Sequence, residues 1–290
     1  MYKFDSKILS SCYINFLFGA GVNGTAFPQV AQFTKTLDFM KGKIKKGIEN
    51  KTFEELFDLL DEVSKKETRG IFINEFNEKH SSINNDDSSI KNIKEMLRAV
   101  YKLVYDSENR KEAMNQVNIF TTNYDFIVEN ALKDLGYLCN YVSASNLQSH
   151  NQFFNIVGRD FSLKREVPTF LVSKIHGDID NPILPGLDKY DLILTQNKFE
   201  IVFKMKEKLS RYNSILFVIG YSGRDEHINR ILKDCVISGL TIYWFKFRHD
   251  DIIPEVISNN VTVIENDDGG DTTALFTKMV NKLWEESSEK

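Results

Sequence analysis

An α/β fold built on a parallel sheet is predicted from three observations. After residue 116, short β-rich runs alternate with amphipathic stretches, which is the pattern of strands connected by helices. Near the N-terminus, the apolar run Phe16–Phe18 leads directly into a glycine-rich turn, Gly19–Gly24. The chain has 290 residues, of which 42% are hydrophobic, enough to bury a sizeable core. Together these features predict a Rossmann-like parallel sheet with helices on both faces.

The segment that follows the first strand has a different pattern. Apolar residues recur there at three- and four-residue spacing, as from Phe53 to Val63, and strand signals are nearly absent. We therefore predict a single domain with an insertion. The predicted division is one domain over 1–290, a helical insertion or small subdomain over 29–115, and a main part formed by 116–290 together with 8–28.

The remaining elements follow from the same periodicities. Strands are predicted where β-branched and aromatic residues cluster, and helices where apolar residues recur on one face. The predicted strands are 117–120, 170–175, 215–219, 240–245 and 261–264, and the predicted helices are 126–135, 196–211, 224–238 and 272–286.

Charge and cysteine content limit the classes of partner. A net charge of −4, from 37 basic and 41 acidic residues, gives no global reason to bind nucleic acid, and we predict no direct binding. Cys12, Cys139 and Cys235 are isolated in the sequence, which indicates buried thiols and no zinc site. No stretch approaches the roughly 18 apolar residues of a spanning helix, and no signal peptide is evident. We predict a cytoplasmic protein without membrane contact and without a metal.

Four loops after predicted strands carry small or hydrogen-bonding residues. In an open parallel sheet the ligand lies outside the carboxyl ends of the strands, so these loops form the candidate site. They are Gly19–Gly24, Thr121–Asp125, His176–Asp178 and Gly220–Asp225.

The first of these loops has the spacing G-x-G-x-x-G. Its glycines permit positive φ and remove the Cβ atoms that would keep a diphosphate from backbone N–H groups. The pattern predicts a nucleotide, although a tight connection after a buried strand has the same composition. Residues of the other three loops also have structural alternatives to ligand binding. Asp125 and Asp225 could cap helices, Asn123 could form a turn and His176 could be a core histidine.

The order of the four loops resembles the sirtuin family. Its pattern runs through a Gly-Ala-Gly loop, a T-x-N-x-D segment, a His-Gly pair and a later glycine-serine loop, matched here by Gly19–Gly21, Thr121–Asp125, His176–Gly177 and Gly220–Gly223. Protein-deacylating sirtuins also carry a zinc ribbon of paired cysteines, which this chain lacks. With its helical insertion in place of the ribbon, the chain is similar to bacterial sirtuin-like NAD hydrolases of anti-phage defence, which include Thoeris effectors and the sirtuin partner of HerA-type ATPases.

This resemblance implies that NAD is the substrate, cleaved to nicotinamide and ADP-ribose so that cellular NAD is depleted in abortive infection. It implies catalytic roles for Asn123, an amide that can orient the ribose or water, and for His176, a general base. The implied NAD-binding residues are Gly19, Ala20, Gly21, Asn23, Thr122, Asp125, Gly220, Ser222, Gly223 and Asp225. An NAD-dependent protein deacylase and a non-catalytic NAD or ADP-ribose sensor are the alternatives.

Regulation is also expected, because a constantly active NAD hydrolase would harm its host. We predict a homo-oligomer, and the resemblance implies a HerA-type ATPase as a possible partner. The amphipathic stretches Phe53–Val63 and Ile93–Tyr105 are candidate subunit contacts, or they pack onto their own domain.

Overall fold

The computed structural model describes most of the chain. The described residues are 8–9, 11–44, 48–49, 51–105, 115–143, 155–157, 169–180, 182, 184, 199–246, 260–265 and 271–288. The strands are β1 (Tyr13–Phe18), β2 (Val117–Thr121), β3 (Cys139–Val142), β4 (Asn155–Val157), β5 (Phe170–Lys174), β6 (Ser214–Ile219), β7 (Thr241–Lys246) and β8 (Val261–Glu265). The α-helices are α1 (Thr34–Lys43), α2 (Phe53–Asp58), α3 (Glu62–Ser81), α4 (Ser88–Tyr105), α5 (Ile127–Asp134), α6 (Phe199–Leu209), α7 (Glu226–Ile237) and α8 (Thr272–Ser288).

The strands form one sheet in the order β4-β3-β5-β2-β1-β6-β7-β8. Seven strands run parallel, and only the edge strand β4 pairs antiparallel, with β3. The parallel sheet predicted from the sequence is confirmed, and every predicted strand is present. The sequence analysis did not predict β3 and β4, which have four and three residues and are too short to show a clear period.

The register of the central strands places the candidate loops side by side. Phe18 at the end of β1 lies opposite Thr121 of β2 and Ile219 of β6, and Thr121 lies opposite Lys174 of β5. The four strands that carry the candidate loops are therefore neighbours, and they end at the same level. The chain leaves β1 towards β2 and leaves β6 towards β7, in opposite directions, so these loops flank a topological switch point.

Helices cover both faces of the sheet, as predicted. On one face, Phe16 and Phe217 pack with Phe276 of α8, with ring centroids 5.1–5.4 Å apart, and this core continues into α4 and α5. On the other face, Leu17 and Trp244 belong to a core completed by α6 and α7. Alternation along each buried strand thus supplies apolar residues to two layers of helices.

The described residues between β1 and β2 are helical and contain no strand. The apolar face of α4 is buried in the main core and contacts α5 and α8, so packing onto its own domain is the correct alternative for this helix. Around α2, Phe53 and Leu56 are buried, whereas Leu59 and Val63 are exposed. The division of the chain at residues 29 and 115 stays a prediction.

A buried carboxylate joins α1 to α3. The residue before α1, Phe33, provides no side-chain cap. Instead, Oε2 of Glu75 in α3 accepts hydrogen bonds from the backbone N–H and the hydroxyl of Thr36 at 2.8 and 2.7 Å, and Oε1 accepts from the N–H of Lys35 at 3.2 Å. These bonds satisfy N–H groups that a helix leaves without partners in its first turn.

The predicted buried thiols are confirmed for all three cysteines. Burial raises the pKa of Cys139 and of Cys235, which keeps both as thiols. In the described part of the chain, each helix is too short or too polar to traverse a bilayer.

Candidate active site

A half-open cleft lies at the carboxyl ends of the central strands. Its empty volume is about 630 Å³, which includes solvent space at its open side. One wall consists of residues from the loops after β1, β2, β5 and β6, and the other comes from the helical segment between β1 and β2. The cleft is lined by Ala20, Asn23, Phe27, Pro28, Val30, Phe33, Glu54, Phe76, Thr122, Asn123, Tyr124, Asp125, His176 and Asp225.

The structure brings most of the predicted site residues together. Both predicted catalytic residues and five of the predicted binding residues line the cleft, namely Asn123, His176, Ala20, Asn23, Thr122, Asp125 and Asp225. The remaining predicted residues do not line it, and these are Gly19, Gly21, Gly220, Ser222 and Gly223. Ser222 is exposed. The ligand contacts assigned to all of these residues stay predictions.

Gly19 and Gly21 of the first loop pack backbone against backbone with Gly220 of the fourth loop. A Cβ atom on Gly19 would lie 2.4 Å from the Gly220 carbonyl oxygen. Gly220 has φ +66°, and a Cβ atom there would lie 2.2 Å from the Val22 nitrogen. The N–H groups of Gly19 and Gly21 donate to the carbonyls of Ile219 and Gly220 at 3.1 and 2.9 Å. In this structure the glycines thus join two loops, and these two N–H groups bond to the protein itself.

Asn123 is held inside the cleft by the first loop. Its side chain is buried, and Nδ2 donates a hydrogen bond to the Gly19 carbonyl at 3.2 Å. Its backbone N–H donates to the Thr121 hydroxyl at 3.1 Å. The tight packing of the glycine loops therefore also fixes the orientation of the predicted catalytic amide.

Asp125 serves both the helix and the cleft. Its Oδ1 accepts from the Ile127 N–H at the start of α5 at 3.0 Å, as the capping alternative expects. Its Oδ2 accepts from Asn23 Nδ2 at 2.7 Å. Because the carboxylate accepts, the Asn23 amide nitrogen faces it, and the buried Asn23 Oδ1 has no hydrogen-bond partner within the described protein. Asn23 thus keeps one buried oxygen acceptor unsatisfied beside the cleft.

A buried ion pair supports this segment from behind, and the sequence analysis missed it. Lys174 ends β5 and is fully buried, with Nζ 3.0 Å from Glu129 Oε1. The same Nζ donates to the backbone carbonyls of Asn123 and Asp125. Burial raises the pKa of Glu129, and the nearby lysine opposes that rise. A lysine at the end of an apolar strand is the sequence signal that could have found this pair.

His176 faces two further polar side chains. Its Nε2 lies 3.4 Å from Nε2 of His227 and 3.8 Å from Oδ1 of Asp225, and both imidazoles are buried. Asp225 precedes α7, but its side chain makes no capping hydrogen bond, so the capping alternative is wrong for this side chain. His227 was missed in the sequence analysis. The spacing Asp225-x-His227 at a helix start was the available signal.

The opposite wall is aromatic. Phe27 and Phe76 have ring centroids 4.7 Å apart, and Phe33 stacks on Phe72 at 5.1 Å. Tyr124 of the second loop also lines the cleft. Burial and the Asp225 carboxylate raise the pKa of Tyr124, which keeps the phenol neutral. Sequence periodicity marked this region as helical but did not indicate which aromatic side chains would face the loops.

Comparison with known proteins gives a match over part of the chain. Residues 117–256, just under half of the chain, match the family model described as "SIR2-like domain", and this span includes three of the four loops. A solved structure described as "Structural Basis for the Mechanism and Regulation of Sir2 Enzymes" is similar over 97% of both chains, with 12% sequence identity and a TM-score of 0.47. A search of curated proteins gave no match. The segment that matches the SIR2-like domain model therefore includes Asn123, His176 and Asp225, which line one cleft.

Proposed function

We propose that the protein is an NAD hydrolase that cleaves the bond between nicotinamide and ribose and releases nicotinamide and ADP-ribose. The observation that carries the proposal is the convergence of Asn123 and His176, from loops far apart in the sequence, on one cleft. The SIR2-like match over 117–256 supports the same substrate class.

The charge of the cleft suits the nicotinamide end of this substrate. Glu54, Asp125 and Asp225 line it, and no lysine or arginine is found among its described lining residues. The nicotinamide ring of NAD⁺ carries a positive charge, which these carboxylates attract. The aromatic wall accommodates the flat ring.

Cleavage requires mainly positioning. The transition state is oxocarbenium-like, as in other glycosyl cleavages, and neutral nicotinamide is a good leaving group. Asn123 orients the nicotinamide ribose or the attacking water, and His176 accepts a proton from a ribose hydroxyl or from that water. Water adds to the anomeric carbon as the bond to nicotinamide breaks, which gives ADP-ribose and one proton.

The biological role is part of the proposal. By resemblance, NAD consumption serves anti-phage defence, with a HerA-type ATPase as partner and depletion of cellular NAD as the harmful effect. Cells that carry the gene and its neighbours should lose NAD after phage infection, and cells with His176→Ala should not. Unchanged NAD in infected wild-type cells would contradict this role.

The biochemical test uses purified protein and NAD, with and without an acyl-lysine peptide, and measures nicotinamide and ADP-ribose. Hydrolysis without peptide supports the proposal. Turnover that depends on the peptide indicates a deacylase, and binding without turnover indicates a sensor. Asn123→Ala and His176→Ala should each reduce hydrolysis by at least about 100-fold, while Gly70→Ala on the exposed face of α3 serves as control. Circular dichroism confirms that each variant is folded, and full activity in either cleft variant would exclude the role assigned to that residue.

A further inference from the structure

Three side chains that can bind a metal meet where His176 and Asp225 line the cleft, with His227 as the third. The ligand atoms of His176, Asp225 and His227 all lie within 4.8 Å of one another. The two imidazoles are buried, and the Asp225 side chain is 14% exposed. Two histidines and one carboxylate form a ligand set that zinc and related transition metals accept.

The distance between the two histidines matches a shared ion. Two nitrogen ligands on one tetrahedral zinc, each at roughly 2.0–2.1 Å, lie about 3.4 Å apart, and the two Nε2 atoms here are 3.4 Å apart. The rings are inclined at 45°, with centroids 5.3 Å apart, so their edges and not their faces meet. Asp225 Oδ1, at 3.8 Å from His176 Nε2, has to move inward to complete the set.

The surroundings favour a cation. Besides Asp225, the cleft presents the carboxylates of Glu54 and Asp125 and, among the described residues, no basic side chain other than His176. Three protein ligands leave a fourth position directed to the open cleft, where water or a small molecule can bind.

We propose that His176, Asp225 and His227 form a binding site for a divalent transition metal of the zinc class, and that the bound metal switches off NAD cleavage. Metal binding itself is independent of the proposed function. Inhibition by the metal rests on the proposed function, because a metal on His176 Nε2 occupies the lone pair that would accept a proton during NAD cleavage. The proposal departs from the expectation of no metal, which was based on the isolated cysteines and considered thiolate ligands only.

The same 3.4 Å spacing also fits a hydrogen bond between two neutral imidazoles, so the test measures the metal directly. Metal-free full-length protein is titrated with Co²⁺, followed by its visible absorption, and with Zn²⁺ by calorimetry, in the absence of NAD. One equivalent should bind. His227→Ala and the isosteric Asp225→Asn should each weaken binding by more than about tenfold, whereas His80→Gln, which removes a histidine outside the cluster, should not.

Absence of stoichiometric binding, or binding equal to wild type in both His227→Ala and Asp225→Asn, overturns the site. The activity arm adds Zn²⁺ to protein that turns over NAD, and chelation should restore the rate. In His227→Ala, inhibition of the turnover that remains should require at least tenfold more Zn²⁺ than in the wild type to reach the same fractional inhibition. Metal binding without NAD cleavage would refute the proposed function and leave the site intact, whereas cleavage unaffected by bound zinc would refute the switch.

Discussion

At the scale of single residues, the buried pair Lys174 and Glu129 determines how firmly the second loop is held. Lys174→Met should lower the free energy of unfolding by about 3–5 kcal/mol, because it leaves the Glu129 carboxylate buried without its cation. Urea denaturation at neutral pH measures the loss. Since burial raises the pKa of Glu129, the carboxylate becomes protonated as the pH falls, and the deficit should shrink at lower pH.

The double variant Lys174→Met with Glu129→Leu is the control for this prediction. It removes both charges and fills the space with apolar atoms, so most of the lost stability should return. A single Lys174→Met variant as stable as the wild type would show that the pair does not support the loop.

Gly220 provides a second prediction at residue scale. Its φ of +66° and the 2.2 Å approach of a Cβ atom to the Val22 nitrogen leave no room for a side chain. Gly220→Ala should therefore destabilise the protein by more than about 2 kcal/mol, since the left-handed conformation alone costs roughly 1–2 kcal/mol. Thermal unfolding measures the change.

Gly70 is the matched control for Gly220. It lies in the exposed middle of α3, with nothing within 4 Å of an added Cβ atom. Gly70→Ala should stabilise the protein by about 0.5–1 kcal/mol, because alanine loses less backbone entropy in a helix. Equal effects of the two substitutions would contradict the assignment of the Gly220 loop as a packing element.

At residue scale, the sequence indicated which residues line the candidate cleft better than it indicated the contacts that those residues make. Asn123 and His176 were predicted because they follow strands, and the sheet does bring them together. The first-loop glycines are predicted to contact a diphosphate, which stays a prediction, and the structure adds that Gly19 and Gly21 pack against Gly220 of the fourth loop. Contacts between segments distant in the chain have no local sequence pattern, so the partners of His227 and Lys174 could not be assigned from the sequence.

At the scale of elements, the helices between β1 and β2 form one wall of the cleft, and α1 is attached to α3 through Glu75. Glu75→Ala should cost about 1–3 kcal/mol, because the N–H groups of Lys35 and Thr36 lose their acceptor. Chemical denaturation reports the stability, and hydrogen exchange at Lys35 and Thr36 should become faster.

Glu78→Ala is the control, one turn along the same helix. Glu78 forms an exposed ion pair with Lys35, and its loss should change stability little, because solvent screens such pairs. If both substitutions had the same small effect, Glu75 would not be the link between α1 and α3.

At the scale of the whole molecule, we expect a homo-oligomer. With most of the apolar face of α4 buried in the core, other surfaces must supply the contact, and Phe203, Tyr212 and Ile237 are 64%, 94% and 79% exposed. Size-exclusion chromatography with light scattering should show a mass that is a multiple of 33.5 kDa. A strict monomer at all concentrations would remove this expectation.

The sequence by itself determined the class of fold and the loops whose residues line the candidate cleft. Local periodicity reveals which segments are strands or helices, and parallel strands place their carboxyl ends at one edge of a sheet. Only the tertiary structure decided that β5, β2, β1 and β6 are neighbours whose carboxyl ends lie at the same level. It also decided that Lys174 supports the second loop and that His227 contacts His176. Those facts depend on strand order and on packing between distant segments, which local patterns do not encode.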